Sequence, residues 1–416
     1  MSTASAAPRL AAGSLVSSDV RTHNLALVMR TLAEGGPSAR SDLATATGLT
    51  RGAITALVGA LADGGLVAES VIVPGERSGR PKTLIGIAAD GVALVAVQID
   101  ADQVTVVVHD LAGTALDRTA AHHGRPMGDP DAILDLAASL LVSAFDRIAA
   151  SGRRIAGLTV IVFAPVGGHP RVVVADTDLG WGRVDVLAGL AARVSGFPAT
   201  ATLAADAPLA ALAERRLLAD VGDLLYLKSN SGIGGAIISG GHVVDGANAI
   251  AGAVGHIAID YDGTPCQCGQ RGCLVTVAGP DVVLARAGLG PLLASEGLTA
   301  ALDEFVARVR ARDPDAVATF TEAADWIARA IAILRMAVDP EVVVLGGYWA
   351  GLADLIAEAA TPRLHLAADP SLSDPGTARP PRVVAGSLGA DAALAGAFWQ
   401  LRDDLLADPL ALVPSL

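Results

Sequence analysis

The 416-residue sequence has no apolar stretch long enough to cross a bilayer. Its most hydrophobic runs, residues 158–164 and 342–345, fall far short of the roughly 20 residues a membrane helix requires, so they read as buried strands. No apolar segment follows the Ser- and Ala-rich opening, so a secretory signal is not expected and the cytoplasm is the expected location. Charge is sparse, at 18% Asp, Glu, Lys and Arg, and no fixed-period repeat occurs. Disordered, fibrous and solenoid classes are thereby excluded in favour of an α/β protein of two to four compact units. Only three cysteines are present, Cys266, Cys268 and Cys273, all within eight residues. An odd number crowded this tightly excludes a disulfide framework and points to metal.

An excess of basic residues is missing too. The net charge of −13 argues at first against nucleic acid, because a DNA-binding surface needs Lys and Arg to replace the counterions on phosphates. The average hides an asymmetry. Residues 1–87 hold eight Lys/Arg and six Asp/Glu, a balance of +2, which leaves 22 basic and 37 acidic residues, or −15, for the remainder. A mildly basic head sits on an acidic body that DNA repels.

Residues 1–20 lack any periodicity and read as a disordered arm. From Arg21 a helix is predicted, with Leu25, Val28, Met29 and Leu32 on one buried face and Gly35-Gly36-Pro37 as its stop. Ser41 is the expected cap of a second short helix that points Leu43 and Ala44 inward and ends at Gly48. Thr50 caps a third, whose inner stripe is Ile54, Leu57, Val58 and Leu61. Residues 66–73 and 83–87 read as strands around a turn-rich tip, 74–82, that carries Arg77, Arg80 and Lys82. The sum is a winged helix-turn-helix over 21–87. Beyond Val92, strands at 93–99, 104–109, 158–162 and 224–227 alternate with helices around 131–149 and 184–194, the signature of α/β layering over 88–416.

The major groove admits one α-helix, and the N-terminal side chains of that helix meet base edges. Thr50, Arg51, Gly52, Thr55 and Ala56 are expected at the start and on the outward face of the third helix, with Arg51 and Thr55 each able to meet a base or a phosphate. Arg77, Arg80 and Lys82 on the wing suit a narrow minor groove, where negative potential is enhanced. A helical module for protein contacts is the alternative for this segment.

Nine residues separate His256 from Cys266-Gln267-Cys268-Gly269-Gln270-Arg271-Gly272-Cys273. One imidazole and three thiolates make the donor set of a closed, structural Zn2+ site, one per chain, with Gly269 and Gly272 letting the chain double back. A closed site leaves no position for activating water. A metal-free loop or a redox switch is the alternative.

On these residues the chain resembles the ROK family, which groups bacterial repressors and sugar kinases, from about Arg21 to Trp399. The Cys-x-Cys-Gly-x-x-Gly-Cys run after Gly-x-His is specific to that family. Further likenesses are Asp178-Leu179-Gly180-Trp181, Ala205-Asp206-Ala207 with the distal Glu214, the glycine hairpin Ser231-Gly232-Ile233-Gly234-Gly235, the later turn Val344-Leu345-Gly346-Gly347, and Gly79-Arg80-Pro81 in the wing. The resemblance implies an actin-like, ribonuclease H-like body of two α/β lobes around a sugar cleft. Asp206, Gly232 and His256 are then the expected ligand-binding residues. It also implies a homodimer or homotetramer that sets two heads on a palindromic DNA operator, with a sugar or sugar derivative as effector.

Departures from the family pattern bear on chemistry. Where its kinases carry Asp-x-Gly-Gly-Thr, a turn whose backbone N–H groups approach phosphate, this chain has Asp100-Ala101-Asp102-Gln103-Val104. The glycines are gone and a carboxylate is added, so loss of kinase activity is expected. Asp206 stands at the place of the family's general base, and without a phosphate cradle it is left as a hydrogen-bond acceptor. Three polar sugar contacts of the family are Ala205, Ala253 and Val275 here. Each lost hydrogen bond to a hydroxyl removes about 0.5–1.5 kcal/mol, or about 1.5–3 where the partner is charged. Either the effector is more apolar or differently substituted than a hexose, or the body only oligomerises. The sequence thus points to a transcriptional regulator without catalysis; a sugar kinase with a DNA-binding extension and a scaffold are the alternatives.

Overall fold

Helix α1 (Ser17–Gly35) is the first element of the described residues and buries Leu25, Val28, Met29 and Leu32 as the periodicity requires. The computed structural model describes residues 17–71, 83–125, 127–168, 171–174, 180–182, 184–364 and 379–413. Residues 17–20 are therefore helical rather than part of an unstructured arm; Asp19 lies in the first turn, where a negative charge complements the helix dipole. Strand β1 (Ser38–Ala39) follows, then α2 (Arg40–Thr47), α3 (Arg51–Asp63), β2 (Val67–Val71) and β3 (Thr83–Ile87). The strands form one antiparallel sheet in the order β1-β3-β2. Ser41 does not cap α2. Pairing of Ser38 and Ala39 with β3 holds the backbone extended up to Ala39, so the helix starts at Arg40 and the Ser41 hydroxyl is donated to Asp42 Oδ1 at 3.1 Å. Gly48 turns the chain at φ +72°, and Thr50 Oγ1 accepts from the Ala53 N–H at 3.2 Å to cap α3. The tip with Arg77, Arg80 and Lys82 lies outside the described residues.

The next nine elements build a first lobe: β4 (Val92–Ile99), β5 (Gln103–His109), β6 (Ala115–His122), α4 (Pro130–Ala150), β7 (Arg154–Val162), β8 (Val166–Gly167), β9 (Val172–Val173), α5 (Val186–Ala191) and β10 (Thr202–Ala205). Its sheet runs β10-β7-β4-β5-β6, parallel across β10, β7 and β4 and antiparallel from β4 to β6. Strands β4 and β7 are apolar on both faces because helices α4 and α5 cover one side and other helices the second. The helix expected over 184–194 is shorter, confined to Val186–Ala191.

A second sheet, β13-β12-β11-β14-β15, repeats the plan with α6 (Asp206–Arg216), β11 (Leu224–Ser229), β12 (Ile233–Ser239) and β13 (His242–Val243). Helices α7 (Leu274–Ala278), α8 (Pro280–Arg286), α9 (Gly290–Glu296), α10 (Leu298–Arg310) and α11 (Pro314–Val338) come before β14 (Val342–Gly347), α12 (Ala353–Leu364), β15 (Arg382–Ala385) and α13 (Ala392–Ala407). Among the described residues no single helix is long and apolar enough to cross a membrane.

Helices α6 and α13 lie between the two sheets, where Ala96 and Ile161 meet Ala210, Ala393, Tyr226 and Val344 in one apolar cluster. Their approach is close: a Cβ on Gly396 would stand 2.1 Å from the Leu209 carbonyl oxygen. The far end of α13 leaves the body. Phe398, Leu405 and Leu406 join Leu25, Met29, Leu61 and Leu66 in a shared core, so the expected head and body meet through packed side chains.

Candidate functional site

The 3-10 turn Val254–His256 and the start of α7 hold two of the four expected metal donors; the loop between them doubles back to supply the others. Cys273 is paired with Ala258 and Pro265 with Arg271, while the Cys266 N–H donates to the Gln270 carbonyl at 2.8 Å. Gly272 sits at φ +63°, and any Cβ there would lie 1.5 Å from the Asp260 carbonyl oxygen, so the loop closes only on glycine. As a result Cys266 Sγ lies 3.6 Å from His256 Nδ1, Cys268 Sγ lies 3.5 Å from Cys273 Sγ, and all four donor atoms fall within 4.8 Å of one another. Zn–S and Zn–N bonds of about 2.3 and 2.0–2.1 Å put tetrahedral donors roughly 3.5–3.8 Å apart. The cluster fits a tetrahedral metal ion. Burial pushes the Cys273 thiol up to about 12, with the Cys268 and Cys266 sulfurs adding to it. Burial also raises Cys268, but the N–H of Gln270 and the neighbouring thiols outweigh it and hold that thiol below its ordinary value. A cation at the centre of the three sulfurs stabilises their thiolates, Cys273 above all.

The metal donors border the cleft. Phe163, Pro165, Ala205, Asp206, Ile233 and His256 line a cavity of about 100 Å³, and Gly232 lines the adjoining space with His256 and Arg125. All three expected ligand residues therefore meet in one region, but Asp206 is not a free acceptor. It starts α6 and forms a buried ion pair with Lys228 of β11. Burial pulls the Lys228 ammonium down, while Asp206 and then Asp100 outweigh that and hold it charged. Sequence reasoning missed Lys228, although the signal was present: one of only two lysines follows directly on the apolar run Leu224–Leu227, where a buried cation demands a carboxylate.

Asp100 closes the triad. Its Oδ1 accepts from the Ala101 N–H at 2.8 Å and its Oδ2 from Gln98 Nε2 at 3.3 Å; burial pushes its carboxyl up, with Lys228 pulling the other way. Asp102 is 7% exposed and spans the cleft: its Oδ2 accepts from the Leu298 N–H, the first of α10, at 3.1 Å. A second tie crosses nearby, where the Arg125 guanidinium grips Asp281 of α8 through two bonds of 2.9 and 3.1 Å.

Away from the cleft, Thr50, Arg51, Gly52, Thr55 and Ala56 are all exposed along α3, and the Thr55 hydroxyl is donated to the Arg51 carbonyl at 2.9 Å.

Residues 94–404 match the model of the ROK family. The chain belongs to the ROK family. An N-acetylmannosamine kinase of Citrobacter koseri is 34% identical over 157 residues, 37% of this chain and 51% of the relative. A xylose repressor of Bacillus spizizenii is 25% identical over 259 residues, 61% of this chain and 65% of the relative. The chain thus spans between about half and two thirds of the curated relatives it matches. The crystal structure of a ROK family transcriptional regulator, a homologue of the E. coli MLC protein, superposes with a TM-score of 0.71 at 24% identity over 94% of this chain and 98% of that one. A ROK family glucokinase of Streptomyces griseus with glucose and AMPPNP gives 0.59 at 23% identity over 74% and 98%. The two-lobed ROK fold is common to these repressor and kinase relatives.

Set against the ROK pattern, the metal loop keeps its four donors, whereas the phosphate turn has Asp102 where the kinases carry glycine. Of the ROK-like segment 178–181, Gly180 and Trp181 are described, with Trp181 buried in the first lobe; Asp178 and Leu179 lie outside the described residues. Glu214 is buried and accepts from the N–H groups of Ser387 and Leu388 at 2.8 and 2.9 Å, a structural role in holding the turn before α13.

Proposed function

We propose that this ROK protein is a sequence-specific DNA-binding transcriptional regulator, a repressor of carbohydrate-related genes, whose kinase-like body performs no phosphoryl transfer. The observation that carries the reading is the outward face of α3: Arg51, Gly52 and Thr55 stand free to solvent while Ile54, Leu57 and Val58 anchor the opposite face. A helix so presented fits the major groove, with Thr50 and Arg51 at its base-facing end and Arg77, Arg80 and Lys82 assigned to the minor groove. In this reading one Zn2+ on His256, Cys266, Cys268 and Cys273 is structural, and two heads of a homodimer or homotetramer meet a palindrome.

Two charged contacts support the absence of catalysis. Asp102 brings a carboxylate to the place where a triphosphate would need backbone N–H donors, and Lys228 engages the carboxylate at the general-base position. The effector is a sugar derivative more apolar than a hexose, since Phe163, Pro165 and Ala205 face its cavity. Helix α13 offers the path from cleft to head: it begins at the cleft and ends in the core beneath α1 and α3.

Selection of bound duplexes from a random DNA pool at near-physiological salt tests the reading. The expected result is an enriched inverted repeat, with affinity that falls steeply with salt and is lost in Arg51→Ala. Indifference to sequence would remove the regulator, and ATP turnover with a hexose or an acylated amino sugar would restore the kinase.

A further inference from the structure

Residues 88–91 connect β3 of the head to β4 of the body, and so short a covalent link leaves two domains free to turn unless other contacts fix them. Such contacts converge on the end of α3. The Gly64 carbonyl lies where the helix has no further N–H to offer, and the guanidinium of Arg154, the first residue of β7, donates to it. A cation at this end also complements the helix dipole. The Arg154 N–H meanwhile donates to the Gly91 carbonyl at 3.2 Å, so one residue of the body holds both α3 and the connection.

The backbones touch as well. A Cβ on Gly91 would stand 2.0 Å from the Gly65 carbonyl oxygen, and Gly65 turns the chain at φ +69°. A Cβ on Gly64 would stand 3.0 Å from the carbonyl oxygen of Leu412, in the 3-10 turn Pro409–Leu412, whose Leu410 and Leu412 pack on the core shared by head and body. The end of α3 is therefore held by β7, by the connection and by the 409–412 turn together.

We propose that Arg154 is a positioning residue for DNA reading: with the Gly65–Gly91 contact it locks α3 at one angle to the body, so that the body sets the half-site spacing an oligomer accepts. The inference rests on the regulator reading above and adds a determinant of operator choice that touches no base. Two half-sites are bound together only where the geometry lets both heads engage at once. Each added base pair moves the second half-site by about 3.4 Å and turns it by about 35°. A head on a free tether follows such a shift, and a locked head does not.

The test takes the inverted repeat enriched by duplex selection, moves its half-sites apart by up to about five base pairs, half a helical turn, and measures binding of the full-length, zinc-loaded protein to each spacing and to a single half-site. The wild type is expected to lose about tenfold or more at half a turn. Arg154→Ala, an exchange at an exposed side chain, flattens that dependence and leaves half-site affinity unchanged, while Arg154→Lys, which can still donate to the Gly64 carbonyl, keeps it. A wild type indifferent to spacing, or an Arg154→Ala protein with the same preference, overturns the proposal. Distances between spin labels on the exposed residues Thr55 of α3 and Asp146 of α4 give a readout without DNA; the labels are carried on unnatural side chains that spare the zinc cysteines, in protein diluted with unlabelled chains. One narrow distance is expected in the parent and a broad distribution in Arg154→Ala and in Gly91→Ala. A broad distance in the parent, or an equally narrow one in all three, overturns the lock whatever the DNA result. A narrow parent distance that broadens in both variants, without any enriched repeat, sustains the lock and overturns the regulator reading with the spacing role that rests on it.

Discussion

The metal loop and the interlobe cleft adjoin one another, share His256 along their border and follow different rules. In the loop, four donors lie within eighteen residues, and tight turns at glycine bring them within 4.8 Å. In the cleft the partners come from distant segments: Gln98 of β4 donates to Asp100, Asp206 of α6 pairs with Lys228 of β11, and Asp102 reaches the Leu298 N–H of α10. The loop keeps an arrangement that asks for an outside ion. The cleft's charges find partners within the chain, Asp102 on the Leu298 N–H of α10 and Lys228 on Asp206. One part of the region therefore presents donors that suit an ion, while the adjoining part pairs charge with charge inside the protein.

Removing one donor from the loop is the strongest way to break this contrast. Cys268→Ser is expected to abolish stoichiometric metal binding and to lower the melting temperature more than any cleft substitution; unchanged metal content by atomic emission would refute the donor set. Next in size is Lys228→Met, which leaves Asp206 buried without a partner at a cost of about 3–5 kcal/mol in denaturant unfolding. The double variant with Asp206→Leu is expected to recover most of that loss, because replacing a buried pair by apolar groups is close to neutral. If the single variant is as stable as the parent, the pair is not the cleft's counterion. Asp102→Gly sharpens the contrast further. It frees the Leu298 N–H and costs about 1–3 kcal/mol, yet is expected to give no ATP turnover, since Lys228 still holds Asp206.

The smallest effect carries a sign. The carboxyl of Asp100 is raised by burial, so the native state takes up a proton more readily than the unfolded one. Its charged form therefore destabilises the fold above that raised value, and the penalty is relieved as pH falls through it. Asp100→Asn is expected to raise stability at neutral pH, with the gain shrinking as the medium is acidified toward the ordinary carboxylate range. A gain independent of pH would mean that packing, not charge, sets the difference.

Local features were readable because their causes are local. The Thr50 cap, the Gly48 turn, the buried stripes of α1 and α3 and the strands at β4 and β11 follow from side-chain period and from residues within one turn of each other. Ser41 misled because its rank as a cap depends on where the preceding strand stops, and β1 is set by pairing with β3, more than forty residues away. The helix at α5 was overextended for a like reason: apolar residues beyond Ala191 are buried by the lobe without being helical.

What the sequence determined by itself was the family, the cluster of one His and three Cys that could hold a metal, and the absence of glycine at positions 102 and 103, since each is written in residues close along the chain. Only the tertiary structure decided what the replacements do. That Asp102 lands on α10, that Lys228 meets Asp206, and that α13 runs from the cleft into the core of the head all depend on contacts between residues 22 to 380 positions apart. Charge and periodicity along a chain state which groups need partners, and only folding brings those partners within reach.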